Sequence, residues 1–133
     1  MEVRKTKPGG TEKMNTILIV EDDETSYILL QALLEPYNCR LLYAADGNQA
    51  VGLCISNPEI DLILMDLKLP LLSGYEATRQ IRAFNPDVPI IAQTAYALSG
   101  DNEKAMAAGC NNYITKPIKK EELLAKIGMY LEI

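Results

Sequence analysis

Residues 61–70 read Asp61-Leu62-Ile63-Leu64-Met65-Asp66-Leu67-Lys68-Leu69-Pro70. Residues 62–65 form a short apolar run, the length of a strand buried on both faces. The run ends in a carboxylate, and Pro70 forbids a simple continuation. An aspartate cannot sink into a core unpaired. Asp66 therefore belongs at the strand's exit, at one edge of a sheet. A turn aspartate would look the same in isolation, so the other strands have to decide.

Working outward, short apolar runs alternate with longer amphipathic ones. Strands are predicted over 17–20, 40–43, 62–65, 89–92 and 112–114. Helices are predicted over 24–34, from the Ala45-Asp46-Gly47 turn to about 55, over 74–84, up to 108, and over 120–131. In the third helix Ala77, Ile81 and Phe84 share the core side. Ser99 is expected to cap the fourth helix, which stops at Gly109. In the last, Leu123, Leu124, Ile127 and Leu131 are expected to face inward. This βαβαβαβαβα order means a parallel α/β sheet with helices on both faces. Residues 1–15 are polar, with Pro8-Gly9-Gly10, and read as a linker or tail. Residues 16–133 read as one domain.

The chain has 133 residues, 48% of them hydrophobic, which suits a single domain. Net charge is -5 and no basic patch stands out, so no direct nucleic-acid partner is expected. No apolar run is long enough to span a membrane and no signal core is present. Cys39, Cys54 and Cys110 form no CxxC pair and read as reduced, mostly buried thiols of a cytoplasmic protein. There is no histidine. That excludes a His-based triad, a His-ligated zinc site and any phosphohistidine on this chain.

Parallel strands end at a common edge, and the residues there form a pattern. Strand 1 ends in Glu21-Asp22-Asp23, strand 3 in Asp66, strand 4 in Gln93-Thr94-Ala95 and strand 5 in Thr115-Lys116-Pro117. Periodicity does not fix the strand order; the chemistry suggests 2-1-3-4-5. That flavodoxin-like (βα)5 order places the acids of strands 1 and 3 roughly 5 Å apart, at the switch point where open sheets bind ligands. Strand 5 is then roughly 10 Å from strand 3, a gap only a long side chain such as Lys116 can cross. Two carboxylates ~4 Å apart repel by about 4 kcal/mol at an effective dielectric near 20. Glu21, Asp22 and Asp66 therefore call for a cation, and oxygen-only ligands favour Mg2+. Asp23 reads as the cap of the first helix. With such a cation, Asp66 can act as a nucleophile toward phosphorus. Lys116, Thr94 and backbone N–H groups after Asp66 would then hold the other oxygens.

These residues resemble the response-regulator receiver domains of two-component signalling over about residues 15–131. The likeness rests on Ile-Leu-Ile-Val-Glu-Asp-Asp at 17–23, Leu-Met-Asp-Leu-Lys-Leu-Pro at 64–70 and Ser-Gly-Tyr-Glu-Ala at 73–77. Gln-Thr-Ala at 93–95 and Tyr-Ile-Thr-Lys-Pro at 113–117 complete it. The resemblance implies that Asp66 is the phospho-acceptor. It implies that Asp22 and Asp66, the Lys68 carbonyl and, through water, Glu21 hold Mg2+. It implies that Thr94 and Tyr113 form a switch pair, that Lys116 contacts the phosphate, and that the Lys116–Pro117 bond is cis. Lys68 and Tyr96 occupy positions that tune acyl-phosphate lifetime in this family, and a bulky Tyr96 implies a slow to moderate one.

The implied donor is a phosphohistidine on a histidine kinase or phosphotransfer domain, docking at Thr25, Ile28 and Leu29. The implied output surface is helix 4, strand 5 and helix 5, and phosphorylation-dependent dimerisation is one output such a surface allows. The tail resembles an inter-domain linker. This favours the receiver of a hybrid sensor histidine kinase, a class that can be membrane-anchored elsewhere in its chain, over a stand-alone regulator. Three rivals are weaker. An Asp-nucleophile phosphohydrolase wants a second acid where Lys68 stands. A pseudo-receiver would lack the acceptor, the acids or the lysine. A flavin-binding domain would not place Glu21-Asp22-Asp23 against a phosphate.

Overall fold

The computed structural model describes residues 14–95 and 100–133. Its strands are β1 (Thr16–Val20), β2 (Arg40–Ala44), β3 (Leu62–Asp66), β4 (Ile90–Thr94) and β5 (Asn112–Thr115). All neighbours pair in parallel, in the order β2-β1-β3-β4-β5 expected from the chemistry of the strand ends. β1, β3 and β4 are buried along their whole length, which is why they read as unbroken apolar runs. β2 lies at an edge and keeps Arg40 and Tyr43 exposed. Asp66 is the last residue of β3 rather than the first beyond it.

The helices are α1 (Glu24–Leu34), α2 (Gly47–Ser56), α3 (Gly74–Phe84), α4 (Asp101–Ala108) and α5 (Lys120–Gly128), with a 3-10 turn at Glu35–Tyr37 after α1. Side-chain caps start three of them. Asp23 accepts from Ser26 N, Asp46 from Gln49 N and Ser73 from the Glu76 backbone. The α4 cap is Gly100, with φ 82 and no side-chain hydrogen bond; Ser99, expected there, lies outside the described residues. So do residues 1–13, which make up most of the expected tail. Asn15 is buried, and its amide donates to the Glu132 carbonyl.

Side chains alternate across the sheet, giving a core on each face. Leu18, Val20, Ile63, Met65 and Ala92 pack with Ala50, Ala77, Ile81 and Ala105 on one face. Ile17, Ile19, Leu62, Leu64, Ile91 and Ile114 pack with Leu30, Leu34, Leu123 and Ile127 on the other. Each burial of a large aliphatic side chain contributes about 1.5–3 kcal/mol before conformational entropy is subtracted. Phe84 departs from the sequence reading. It is 44% exposed, because the apolar stripe of α3 runs out at the helix's last residue. α5 also ends three residues early, at Gly128, yet Leu131 still packs against the core and its N–H reaches the Ile127 carbonyl.

Candidate functional site

The sheet order reverses direction between β1 and β3, so their carboxyl ends face each other across the crevice. Glu21, Asp22 and Asp66 meet there, with one carboxylate oxygen of each within 4.8 Å of the others. Glu21 and Asp66 are buried and Asp22 is exposed, so the cluster opens to solvent on one side. Lys116 closes the other side. It leaves the end of β5, passes β4, and places Nζ 3.1 Å from Glu21 Oε1 and 3.3 Å from Asp66 Oδ2. The Lys116–Pro117 bond is cis.

Asp66 is also held from the chain that follows it. The Lys68 N–H donates to Asp66 Oδ1 at 3.1 Å, so the two carboxylate oxygens have different partners. The Lys68 side chain itself is exposed. The β3–α3 loop folds back closely: a Cβ on Gly74 would sit 2.1 Å from the Asp66 carbonyl oxygen, which only glycine permits.

The electrostatics follow from two buried acids sharing one ammonium. Burial, then the neighbouring Asp66 carboxylate, pushes the Glu21 carboxyl up to about 7, and Lys116 only partly offsets this. Burial pulls the Lys116 ammonium down, but Asp66 and Glu21 outweigh it and leave the group above its ordinary value. A crowded, all-oxygen donor set with a carboxyl held this high fits a small hard divalent cation.

Beside Asp66 is a cavity of about 130 Å3, lined in part by Lys68, Thr94, Asp101 and Lys116. A larger hollow, about 470 Å3, lies at the opposite edge of the sheet near Asn15, Asp61 and Pro89, away from the carboxylates. Thr94 is buried at the end of β4, and its hydroxyl donates to Asp101 Oδ2 at 3.1 Å. The Tyr75 hydroxyl donates to Asp101 Oδ1 at 2.9 Å. Sequence reasoning missed Asp101 and Tyr75, since nothing in the spacing of 75, 94 and 101 pairs them.

Tyr113, on β5, is half-buried, with Lys126 Nζ 4.8 Å from its ring centroid and donating to its carbonyl. On α1, Ile28 and Leu29 are exposed and Thr25 is too. Tyr96 lies outside the described residues.

An open parallel sheet that gathers two further acids, a lysine and a hydroxyl near one strand-end aspartate is the architecture of a phosphoryl-accepting signalling domain. The chain belongs to the response regulator receiver domain family, whose model matches residues 17–128. It is a receiver domain of two-component phosphorelay signalling. Two relatives frame it. A hybrid signal transduction histidine kinase I of Dictyostelium discoideum is 39% identical over 92% of this chain, which spans only 8% of that protein. The polar-differentiation response regulator DivK of Brucella anthropi is 36% identical over 87% of this chain and 95% of its own length.

Two crystal structures are similar as well. The receiver domain of the sensor histidine kinase PA1611 of Pseudomonas aeruginosa, with a magnesium ion in its active-site cleft, is 42% identical, with a TM-score of 0.82. The match covers 89% of this chain and 98% of that one. The receiver domain of Saccharomyces cerevisiae Ssk1, crystallised with the phosphotransfer protein Ypd1, is 35% identical, with a TM-score of 0.82 over 88% of each chain. Among the described residues, no helix is long and apolar enough to cross a membrane.

Proposed function

We propose that Asp66 accepts a phosphoryl group from a phosphohistidine carried by a histidine kinase or phosphotransfer domain. An Asp66 carboxylate oxygen attacks phosphorus. The new O–P bond forms as the donor's N–P bond breaks, and the imidazole nitrogen keeps the electron pair. Glu21, Asp22 and Asp66, with the Lys68 carbonyl, would hold Mg2+, which supplies positive charge to the transferring oxygens. The observation that carries this reading is the Lys116 ammonium seated between Glu21 and Asp66 at 3.1 and 3.3 Å. From there it can meet a phosphoryl oxygen without crossing the site. Thr94 would donate its hydroxyl to another oxygen, and Tyr113 would follow by turning inward. That couples Asp66 to the surface of α4, β5 and α5.

The magnesium ion in the PA1611 receiver supports the metal assignment, and the Ssk1–Ypd1 complex supports the donor class. The test is incubation with acetyl phosphate and Mg2+, read by intact mass. One phosphoryl group is gained by the native chain and none by Asp66→Asn. An unchanged mass for the native chain, with Mg2+ bound, would remove the proposal.

We further propose that the chain is the receiver of a hybrid sensor histidine kinase, since kinase receivers are the more similar relatives at 39% and 42% identity. A stand-alone regulator is the second reading, favoured by the near full-length match to DivK. Reading the gene through both ends of this sequence separates them: flanking kinase sequence supports the first, and start and stop signals at the two ends the second.

A further inference from the structure

We infer that Asp101 is a positioning residue: in the resting domain its carboxylate withholds the Thr94 hydroxyl from the phosphoryl site, and phosphoryl uptake has to displace it. The inference rests on the reading above, in which Thr94 donates to the phosphoryl group.

A threonine hydroxyl has one proton to donate. Here it is given to Asp101 Oδ2 at 3.1 Å. It cannot at the same time be given to an oxygen on Asp66. The acceptor is charged, so the bond is of the stronger, charge-assisted kind. Asp101 is also fixed from its other side, because Tyr75 donates to Oδ1 at 2.9 Å. Both carboxylate oxygens are thus engaged by protein donors from two different elements, β4 and α3. Burial and this hydrogen bond push the Tyr75 phenol up to about 12, so it stays a donor throughout the physiological range.

Asp101 also lines the cavity beside Asp66 that a phosphoryl group would enter. An acyl phosphate carries about two negative charges where the Asp66 carboxylate carried one, and the added charge faces a fixed carboxylate across a partly buried space. The same event therefore offers Thr94 a better acceptor and repels the old one. Asp101 is the first residue of α4, preceded by Gly100 at φ 82. Its release from Thr94 removes the tie between β4 and the start of the helix that leads to the output surface, leaving the one to Tyr75. Asp101 thus ties β4, α3 and α4 together in the resting state, and its charge sets how much binding energy the phosphoryl group spends on untying them.

The test is the affinity for beryllofluoride, a tetrahedral phosphoryl mimic, in saturating Mg2+, for Asp101→Asn, Asp101→Ala, Thr94→Val and each double variant. An asparagine keeps the shape but loses the charge, and it has an acceptor oxygen on one side of its head only, so Tyr75 and Thr94 cannot both donate to it as they do to Asp101; alanine accepts from neither. Both Asp101 variants are expected to bind at least about threefold tighter than the native chain, and Thr94→Val more weakly. In the Thr94→Val background the gain from either Asp101 change is expected to shrink by at least about half, leaving only what charge repulsion supplies. A gain that survives there undiminished would mean a field effect alone and would overturn the inference. So would Asp101 variants that bind no tighter while Thr94→Val binds more weakly; the reading of Thr94 would then stand. No effect of Thr94→Val would instead sink the reading on which the inference rests. Unchanged Mg2+ affinity and circular dichroism in Asp101→Asn show that the variant is folded.

Discussion

Lys116 touches Asp66 across an intervening strand: Nζ on the residue that follows β5 lies 3.3 Å from the carboxylate at the end of β3, with β4 between them. The same ammonium also meets Glu21. Lys116 is 26% exposed whereas the two carboxylates it touches are nearly or fully buried. The cation is therefore more open to solvent than either of the two anions it joins. Without a metal the ammonium supplies the positive charge the carboxylates face, and a cation bound among them would compete with it for the same oxygens.

Replacing Lys116 by methionine should separate those roles. The metal-free protein loses the partner of two buried carboxylates, and about 1–3 kcal/mol of stability should go with it after allowance for solvent at the ammonium. Mg2+ should bind several-fold tighter, because its competitor is gone and the site is more negative. Urea denaturation without metal and a Mg2+ titration measure the two effects. An unchanged metal-free stability would show that the ammonium does not balance the pair.

The raised Glu21 carboxyl gives a pH dependence of definite sign. Its folded value of about 7 lies above the ordinary 4.5. Its contribution is therefore fully present below about pH 4.5 and is lost as pH rises through 7. Each tenfold change in proton affinity is worth about 1.4 kcal/mol, so the loss is of the order of a few kcal/mol. Mg2+ should offset it, giving a larger rise in Tm at about pH 8 than at about pH 5.5. Glu21→Gln should flatten the metal-free profile between these pH values. An equal Mg2+ effect at both would refute the assignment of the raised carboxyl to this site.

Much of this architecture can be read from residue order because fully buried strands leave an unmistakable trace, four or five apolar residues closed by something polar. The carboxylates at the ends of β1 and β3, and a lysine long enough to return from β5, suggested the strand order that periodicity left open. Other features depend on contacts that have no periodic signature. Phe84 continues the spacing of Ala77 and Ile81, but the helix ends at that residue and leaves it 44% exposed. Leu131 keeps its inward contact although the helix stops at Gly128. Asp101 reads as an ordinary first-turn acid of α4; only the folded chain brings it to Thr94 and Tyr75.

The cysteines should differ in reactivity by burial. The Cys54 thiol is buried and pushed up to about 11, and burial also raises Cys110. Cys39 is half-buried. A thiolate-specific disulfide reagent at about pH 8 should modify Cys39 in the folded protein and the other two only as it unfolds. Rapid modification of all three thiols without denaturant would contradict the burial described for Cys54 and Cys110.

Two glycines should respond oppositely to alanine. Gly52 lies inside α2, exposed, with nothing within 4 Å of where a methyl carbon would sit, so Gly52→Ala should stabilise by about 0.5–1 kcal/mol through helix propensity. Gly74 begins α3 hard against the strand that ends in Asp66. An added methyl there would meet the Asp66 carbonyl oxygen at 2.1 Å and Leu67 Cα at 2.7 Å, both backbone and unable to turn aside. Gly74→Ala should therefore cost at least about 2 kcal/mol. Because the clash falls on Asp66 itself, it should also weaken Mg2+ binding and slow phosphoryl uptake from acetyl phosphate. Denaturation midpoints for the two variants, with Mg2+ titration of Gly74→Ala, test the pair. A Gly74→Ala protein of native stability and native Mg2+ affinity would mean that the loop does not press on the end of β3 as closely as its geometry requires.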